Sequence, residues 1–153
     1  MIERFRWWHV DEVLPIERQL FAPEPWTAGQ FWTELGQTAT RHYVVAVSGD
    51  VVVGYAGLCD YPDEAFVQTM AVAPSQQRQG IGALLLEELL HEAERRRQTR
   101  VLLEVRVDNE PAQRLYARYG FVQEGIRRGY YVGAGGQRVD GLVLARTSTA
   151  SRP

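Results

Sequence analysis

No lysine occurs in this chain of 153 residues; all 17 of its basic residues are arginine. That excludes Schiff-base chemistry and the lysine of a P-loop. Codon usage in a GC-rich genome explains the bias more simply than any selected function. Cysteine is nearly absent too. Cys59 alone cannot form an internal disulfide, and its apolar surroundings predict a buried structural thiol rather than a nucleophile. The three histidines, His9, His42 and His91, are scattered without metal-ligand spacing, so no metal is expected. No apolar run approaches the roughly 18 residues that span a bilayer. Residues 1–13 (MIERFRWWHVDEV) carry charges throughout and no apolar h-region, so no secretory signal is expected. A cytoplasmic protein is the expectation, with no membrane contact. The formal net charge of −2 gives no nucleic-acid footprint.

What is present reads as an α/β (α+β) domain over residues 1–146, with residues 147–153 (TSTASRP) expected to be a disordered tail. "ERFRWWHV" reads as an opening strand and "DEVLPIERQLF" as a helix. After the break "APEPW", Thr27 and Gln30 form a capping box for a short helix that stops at Gly36. "RHYVVAVS" and "VVVGYAGLC" form a hairpin around Gly49-Asp50, and "AFVQTMAVA" follows as a strand. Residues 80–97 carry the longest helical signal. "RVLLEVRV" is a strand, and Asn109, Pro111 and Gly120 bound another short helix. "FVQEGIRR" and "QRVDGLVLAR" close the chain as strands. Strands joined partly by hairpins and partly by helices imply a mixed sheet with helices on both faces.

The segment "SQQRQGIGALLLEELL" places Gly80 and Gly82 between a strand and the long helix. It is not a Walker A loop, because no lysine follows, and not a dinucleotide fingerprint, because Leu85 stands where a third glycine is required. What remains is Arg78-Gln79-Gly80-Ile81-Gly82-Ala83. Free N–H groups at a helix start, glycines that allow close approach and an arginine suit a diphosphate. A plain flexible turn is an equal reading of the loop alone.

The strand "MAVAP", the loop "QRQGIGA" and the helix "LLLEELL" resemble the acetyl-CoA-binding motif of the GNAT N-acetyltransferases. "LEVRVDNEPAQRLYARYGF" resembles the second half of that fold, so the resemblance covers nearly the whole chain. Within the family, "LEVR", "YGF", "IRRGYY" and the early "FAPEPW" are similar to the RimI branch, the Nα-acetyltransferases of bacterial ribosomal protein N-termini. The glycine-rich "VGAGGQRVDG" and Leu144 depart from that branch. The resemblance implies a mixed, mostly antiparallel sheet of six to seven strands with about four helices. It implies acetyl-CoA as co-substrate, a pantetheine arm held by backbone of Met70, Ala71 and Val72, and a diphosphate held by backbone of Arg78 to Ala83.

The resemblance also assigns catalytic roles. Glu104 matches the general base, and Tyr116 the acid that protonates the coenzyme A thiolate. On the strand, Glu104 shares a face with Leu102 and Arg106, so a Glu104–Arg106 salt bridge is the structural alternative. For Tyr116 the alternative is a core aromatic beside Leu115 and Tyr119. Asn109 reads equally as a cofactor contact and as a plain N-cap. Trp26, Tyr130 and Tyr131 could line a peptide groove or simply pack, and Arg127 and Arg128 could be a solvated pair or substrate contacts.

An α-amine has a pKa of about 7.7–8.0 against about 10.4 for lysine, so deprotonating it at pH 7 is easier by roughly 3.4 kcal/mol. A carboxylate base therefore suits a protein N-terminus. The expected activity is acetyl transfer to the N-terminal alanine of protein eighteen of the small ribosomal subunit, with other protein N-termini as further candidates. The alternatives are a GNAT enzyme for a small amine, such as a polyamine, amino acid or antibiotic, and a non-catalytic acyl-CoA-binding module.

Overall fold

The computed structural model describes residues 1–133 and 135–148. Its elements are β1 (Ile2–Arg4), α1 (Val10–Phe21), α2 (Ala28–Leu35), β2 (Arg41–Ser48), β3 (Val51–Asp60) and β4 (Ala65–Val72). They continue with α3 (Ile81–Arg95), β5 (Arg100–Arg106), α4 (Glu110–Arg118), β6 (Val122–Val132) and β7 (Arg138–Thr147). The seven strands form one sheet in the order β1-β2-β3-β4-β5-β7-β6. Among the described residues only β4 and β5 run parallel; the other pairs are antiparallel. The described residues contain no helix long and apolar enough to cross a membrane.

Local signals set most helix ends. The Gln30 N–H donates to Thr27 Oγ1 at 3.2 Å and the Thr27 N–H donates to Gln30 Oε1 at 2.8 Å, closing the capping box of α2. Asn109 Oδ1 accepts from the Ala112 N–H at 3.3 Å to cap α4, and Gly120 ends that helix at φ +86. The opening strand is shorter than its sequence suggests. Trp7–His9 form a 3-10 turn instead, because the Arg6 N–H donates to His9 Nδ1 at 2.8 Å and draws the chain toward α1. At the other end β7 includes Thr147, paired with Arg100, and the Ser148 N–H donates to Thr99 O at 2.7 Å. The expected tail therefore starts later than residue 147; residues 149–153 lie outside the described residues. β6 likewise runs on past Arg128 to Val132.

Two apolar layers enclose the sheet. Leu85, Leu86, Leu89 and Leu90 of α3 and Tyr116 of α4 pack on one face with Val44, Leu58, Val101, Leu103 and Leu144. Val13, Ile16 and Phe31 of α1 and α2 pack on the other with Phe5, Val45 and Tyr55. β3 is covered on both sides, which explains its nearly unbroken apolar run. Cys59 lies buried within it.

Two irregularities in β4 open the sheet. Leu58 pairs with Val67 and Gly57 with Thr69, leaving Gln68 as an extra, bulged residue. The bulge reverses the facing of the strand: Ala65 and Val67 face α3 before it, Met70 and Val72 after it, while Ala71 turns to the opposite layer. On its other edge β4 pairs with β5 only at Ala65↔Val101 and Phe66↔Leu102. Residues 67–72 of β4 and 103–106 of β5 then continue without pairing to each other, so the two strands part into a cleft.

Candidate active site

The cleft leads to the glycine loop. Beyond β4, Pro74–Gln76 form a 3-10 turn, and Gln77 Nε2 donates to Val72 O at 3.1 Å. Arg78 and Gly80 both adopt left-handed conformations, at φ +66 and +82. Gly80 is the N-cap of α3, and the first helical bond runs from the Leu84 N–H to Gly80 O at 3.1 Å. The N–H groups of Ile81, Gly82 and Ala83 precede that bond and have no partner in the helix. No acidic residue stands in the first turn of α3. A Cβ on Gly82 would lie 3.4 Å from Leu115 Cδ2 and 3.9 Å from Val72 Cγ2, so the helix start fits closely between α4 and β4. Met70, Ala71 and Val72 lie on the stretch of β4 that is unpaired with β5. Asn109 is the N-cap of α4.

Glu104 lies on the stretch of β5 that is unpaired with β4. Its partner is not Arg106. Arg106 makes a two-pronged contact with Asp108, Nε to Oδ1 and Nη2 to Oδ2, both 3.0 Å, and its guanidinium also sits 5.7 Å from the centre of the Tyr131 ring. This fork occupies Arg106, so the alternative of a Glu104–Arg106 salt bridge does not form. Glu104 Oε1 instead lies 2.6 Å from Nε of Arg127 on β6, with side-chain exposures of 12% for Glu104 and 53% for Arg127.

Tyr116, on α4, is buried and meets the Phe121 ring at 5.8 Å. Burial, and secondarily the neighbouring Tyr131, push its phenol well above the ordinary value. Tyr116 is therefore a neutral phenol at any physiological pH. Burial, then the charge of Glu104, push the Tyr131 phenol up to about 12. Glu104, Tyr116 and Tyr131 come from β5, α4 and β6.

Tyr131 owes its direction to an irregularity in β6. Arg127 pairs with Gly141 and Tyr131 with Val139, so three residues of β6 oppose one of β7. Asp140 fills that one place: its Oδ1 accepts from the Gly129 N–H at 2.8 Å and its Oδ2 lies 3.6 Å from Arg128 Nη1. Gly129 takes φ +58 there. The bulge stands Tyr130 and Tyr131 edge to face, 5.0 Å apart, and lays Tyr131 across Gly141.

Trp26 lies in the segment between α1 and α2. Its half-buried ring packs on Phe31 at 5.1 Å within the layer of α1 and α2, and the Trp26 backbone N–H donates to Glu17 Oε2 at 2.8 Å. Among the described residues no ring contact joins Trp26 to Tyr130 or Tyr131. A groove of about 550 Å³ lined by Arg4, Trp7, Trp32 and Arg41 lies on the molecule as well; none of the candidate residues lines it.

The Acetyltransferase (GNAT) family profile matches residues 4–121. The chain belongs to the GNAT acetyltransferase family. The N-alpha-acetyltransferase RimI of Mycobacterium tuberculosis is 45% identical to it over 121 residues, 76% of this chain and 74% of that protein. The ribosomal protein bS18-alanine N-acetyltransferase of Salmonella typhimurium is 36% identical over 121 residues, 79% of this chain and 80% of that protein. The crystal structure of the ribosomal-protein-S18-alanine N-acetyltransferase from Escherichia coli matches with a TM-score of 0.87 at 32% identity, over 98% of this chain and 95% of that one. The seven-stranded mixed sheet with four helices is the GNAT fold that the sequence motifs implied.

GNAT enzymes take their acetyl group from acetyl-CoA, and the cleft suits that molecule chemically. Unpaired strand backbone can bond an amide-bearing pantetheine arm, and free N–H groups at a helix start can bond a diphosphate. Two features of this GNAT site escaped the sequence, the Arg127–Glu104 pair and the Asp140-pinned bulge, as did the buried Glu17 outside it. The glycines at 125, 129 and 141 were the one available hint, since close approach and positive φ both favour glycine.

Proposed function

We propose that this GNAT protein is an acetyl-CoA-dependent Nα-acetyltransferase of protein N-termini. Its proposed substrate is the N-terminal alanine of protein eighteen of the small ribosomal subunit, with other N-termini as further substrates. The observation that carries this reading is the parting of β4 from β5, which leaves Met70–Val72 and Glu104 on facing unpaired stretches that lead to the helix start at Gly80. The names of the bacterial relatives support the substrate. A ribosomal protein substrate places the enzyme in the cytoplasm.

In this reading acetyl-CoA supplies the thioester. Backbone of Met70, Ala71 and Val72 holds the pantetheine arm, and backbone from Arg78 to Ala83 holds the diphosphate. Asn109, whose Oδ1 caps α4, adds a cofactor contact in this reading through its side-chain amide. Glu104 accepts a proton from the substrate amine, directly or through a water, so that the nitrogen lone pair can attack the acetyl carbonyl. As the carbon–sulfur bond breaks, the Tyr116 hydroxyl delivers a proton to the departing sulfur. Burial makes Tyr116 a weaker acid, but an apolar cleft raises a thiol's pKa in the same direction, so the two stay within reach of each other. Tyr130 and Tyr131 flank the incoming peptide, and Trp26 supports the segment before α2.

The test is intact-mass spectrometry of two peptides incubated with acetyl-CoA and purified protein. One carries a free N-terminal alanine and no lysine; the other has a blocked N-terminus and an internal lysine. Acetylation of the first alone is expected. Acetylation of neither, with turnover on free polyamines or amino acids, would replace this reading with a small-amine GNAT. Coenzyme A binding with no turnover on any amine would leave a binding module.

A further inference from the structure

Among the described residues Arg127 is the cation in ion-pair contact with Glu104. Strand register explains how it gets there. Arg127 and Arg106 both pair with Gly141, while Glu104 and Gly125 both pair with Val143, so Arg127, Arg106 and Glu104 share one face of the sheet. Arg127 reaches Glu104 diagonally across β7, from its partner Gly141, which the Tyr131 ring overlies, toward Val143, the partner of Glu104. The contact is unequal. Glu104 is largely enclosed, whereas Arg127 is half in water and rests against the Tyr130 ring, 5.3 Å from its centre. The guanidinium can leave; the carboxylate cannot follow.

A peptide's α-amine arrives mostly as ammonium at pH 7. Glu104 is the carboxylate that would receive it, and Arg127 already fills that place. We propose that Arg127 is a counter-ion which the substrate ammonium displaces. It covers Glu104 while the site is empty and withdraws to the solvent side of Tyr130 when a free amine enters. Arg127 thereby determines specificity: a ligand without an ammonium group cannot replace it. This assignment rests on Glu104 being the residue that meets the amine.

Isothermal titration of the full-length protein with coenzyme A present tests it. The probes are an alanine-initiated peptide with a free amine and the same peptide acetylated at its N-terminus. Arg127→Gln is expected to tighten the free-amine peptide by roughly threefold, the scale of a part-exposed ion pair, and not to tighten the acetylated one. Arg127→Lys keeps the charge and is expected to stay near wild type. In a Glu104→Gln background the Arg127→Gln effect is expected to vanish. Unchanged or weaker free-amine binding by folded Arg127→Gln protein overturns the proposal, as does equal tightening of both peptides. If Glu104→Gln keeps full turnover, the base assignment fails, yet the coupling between positions 104 and 127 in binding still decides this one.

Discussion

The Tyr43 ring lies directly over Gly57, its cross-strand partner, and fills the place where a Cβ at position 57 would stand. Its hydroxyl donates to Glu34 Oε1 at 2.7 Å, so the ring is tied at its far end to α2 and cannot simply swing away. Gly57→Ala should therefore overpack this layer at a cost of about 1–3 kcal/mol. Each kcal/mol is worth roughly 2–4 °C in a chain of this size. Thermal denaturation followed by circular dichroism checks it, and a Tm equal to wild type would show that the ring relaxes freely.

The catalytic roles predict losses in rate rather than in affinity for the donor. Glu104→Gln and Tyr116→Phe should each lower turnover about tenfold or more, within the usual range for losing an acid or base. Acetyl-CoA binding, measured by thermal shift, should persist in both. Near-normal turnover in the two variants would remove the assigned roles.

The glycine loop predicts the opposite pattern. A side chain on Gly82 starts 3.4 Å from Leu115 and enters the space in front of the free N–H groups of α3. Gly82→Trp should abolish acetyl-CoA binding while the far-ultraviolet circular dichroism spectrum still reports a folded sheet. Unchanged binding by the folded variant would mean the diphosphate sits elsewhere.

Glu17 is 2% exposed, accepts from the Tyr55 hydroxyl at 2.6 Å and from the Trp26 N–H at 2.8 Å, and takes no part in the proposed chemistry. Burial raises its pKa above the ordinary carboxylate value, outweighing the two hydrogen bonds that lower it. The folded state thus holds a proton where the unfolded chain has already released one. Stability associated with Glu17 is present below the unfolded pKa and falls as pH rises through the folded one. Glu17→Gln can keep both contacts, with its carbonyl accepting from Trp26 and its amide donating to the Tyr55 oxygen. The variant should equal or exceed wild type in urea denaturation at pH 7.5, and its advantage should shrink at pH 4. A wild type that is clearly more stable at pH 7.5 would refute this.

The sequence was most legible where a structural signal is local. The Thr27–Gln30 box, the Asn109 cap, the helix stop at Gly120 and the Gly49-Asp50 hairpin each depend on residues within a few positions, and each stands as read. The partner of Glu104 depends instead on the register of three strands. Strand periodicity offered Arg106, two residues away on the same face, but Asp108, two residues beyond Arg106, holds it. Gln68 gives no sign in the sequence that it will bulge, because the bulge arises from how β4 must face two layers in turn. For Trp26 the sequence left a groove and plain packing equally open, since the Phe31 ring it packs on is brought there by the tertiary fold.

The parting of β4 from β5 leaves the sheet continuous through two residue pairs alone, Ala65 with Val101 and Phe66 with Leu102. A donor molecule lodged there would act as a clasp between the halves. If it binds the folded form alone, at 100 times its Kd it contributes about 2.7 kcal/mol to cohesion. The enzyme's lifetime would then track the supply of its own acetyl donor: starvation for acetyl-CoA would loosen the seam and expose the chain to proteolysis before any substrate was missed.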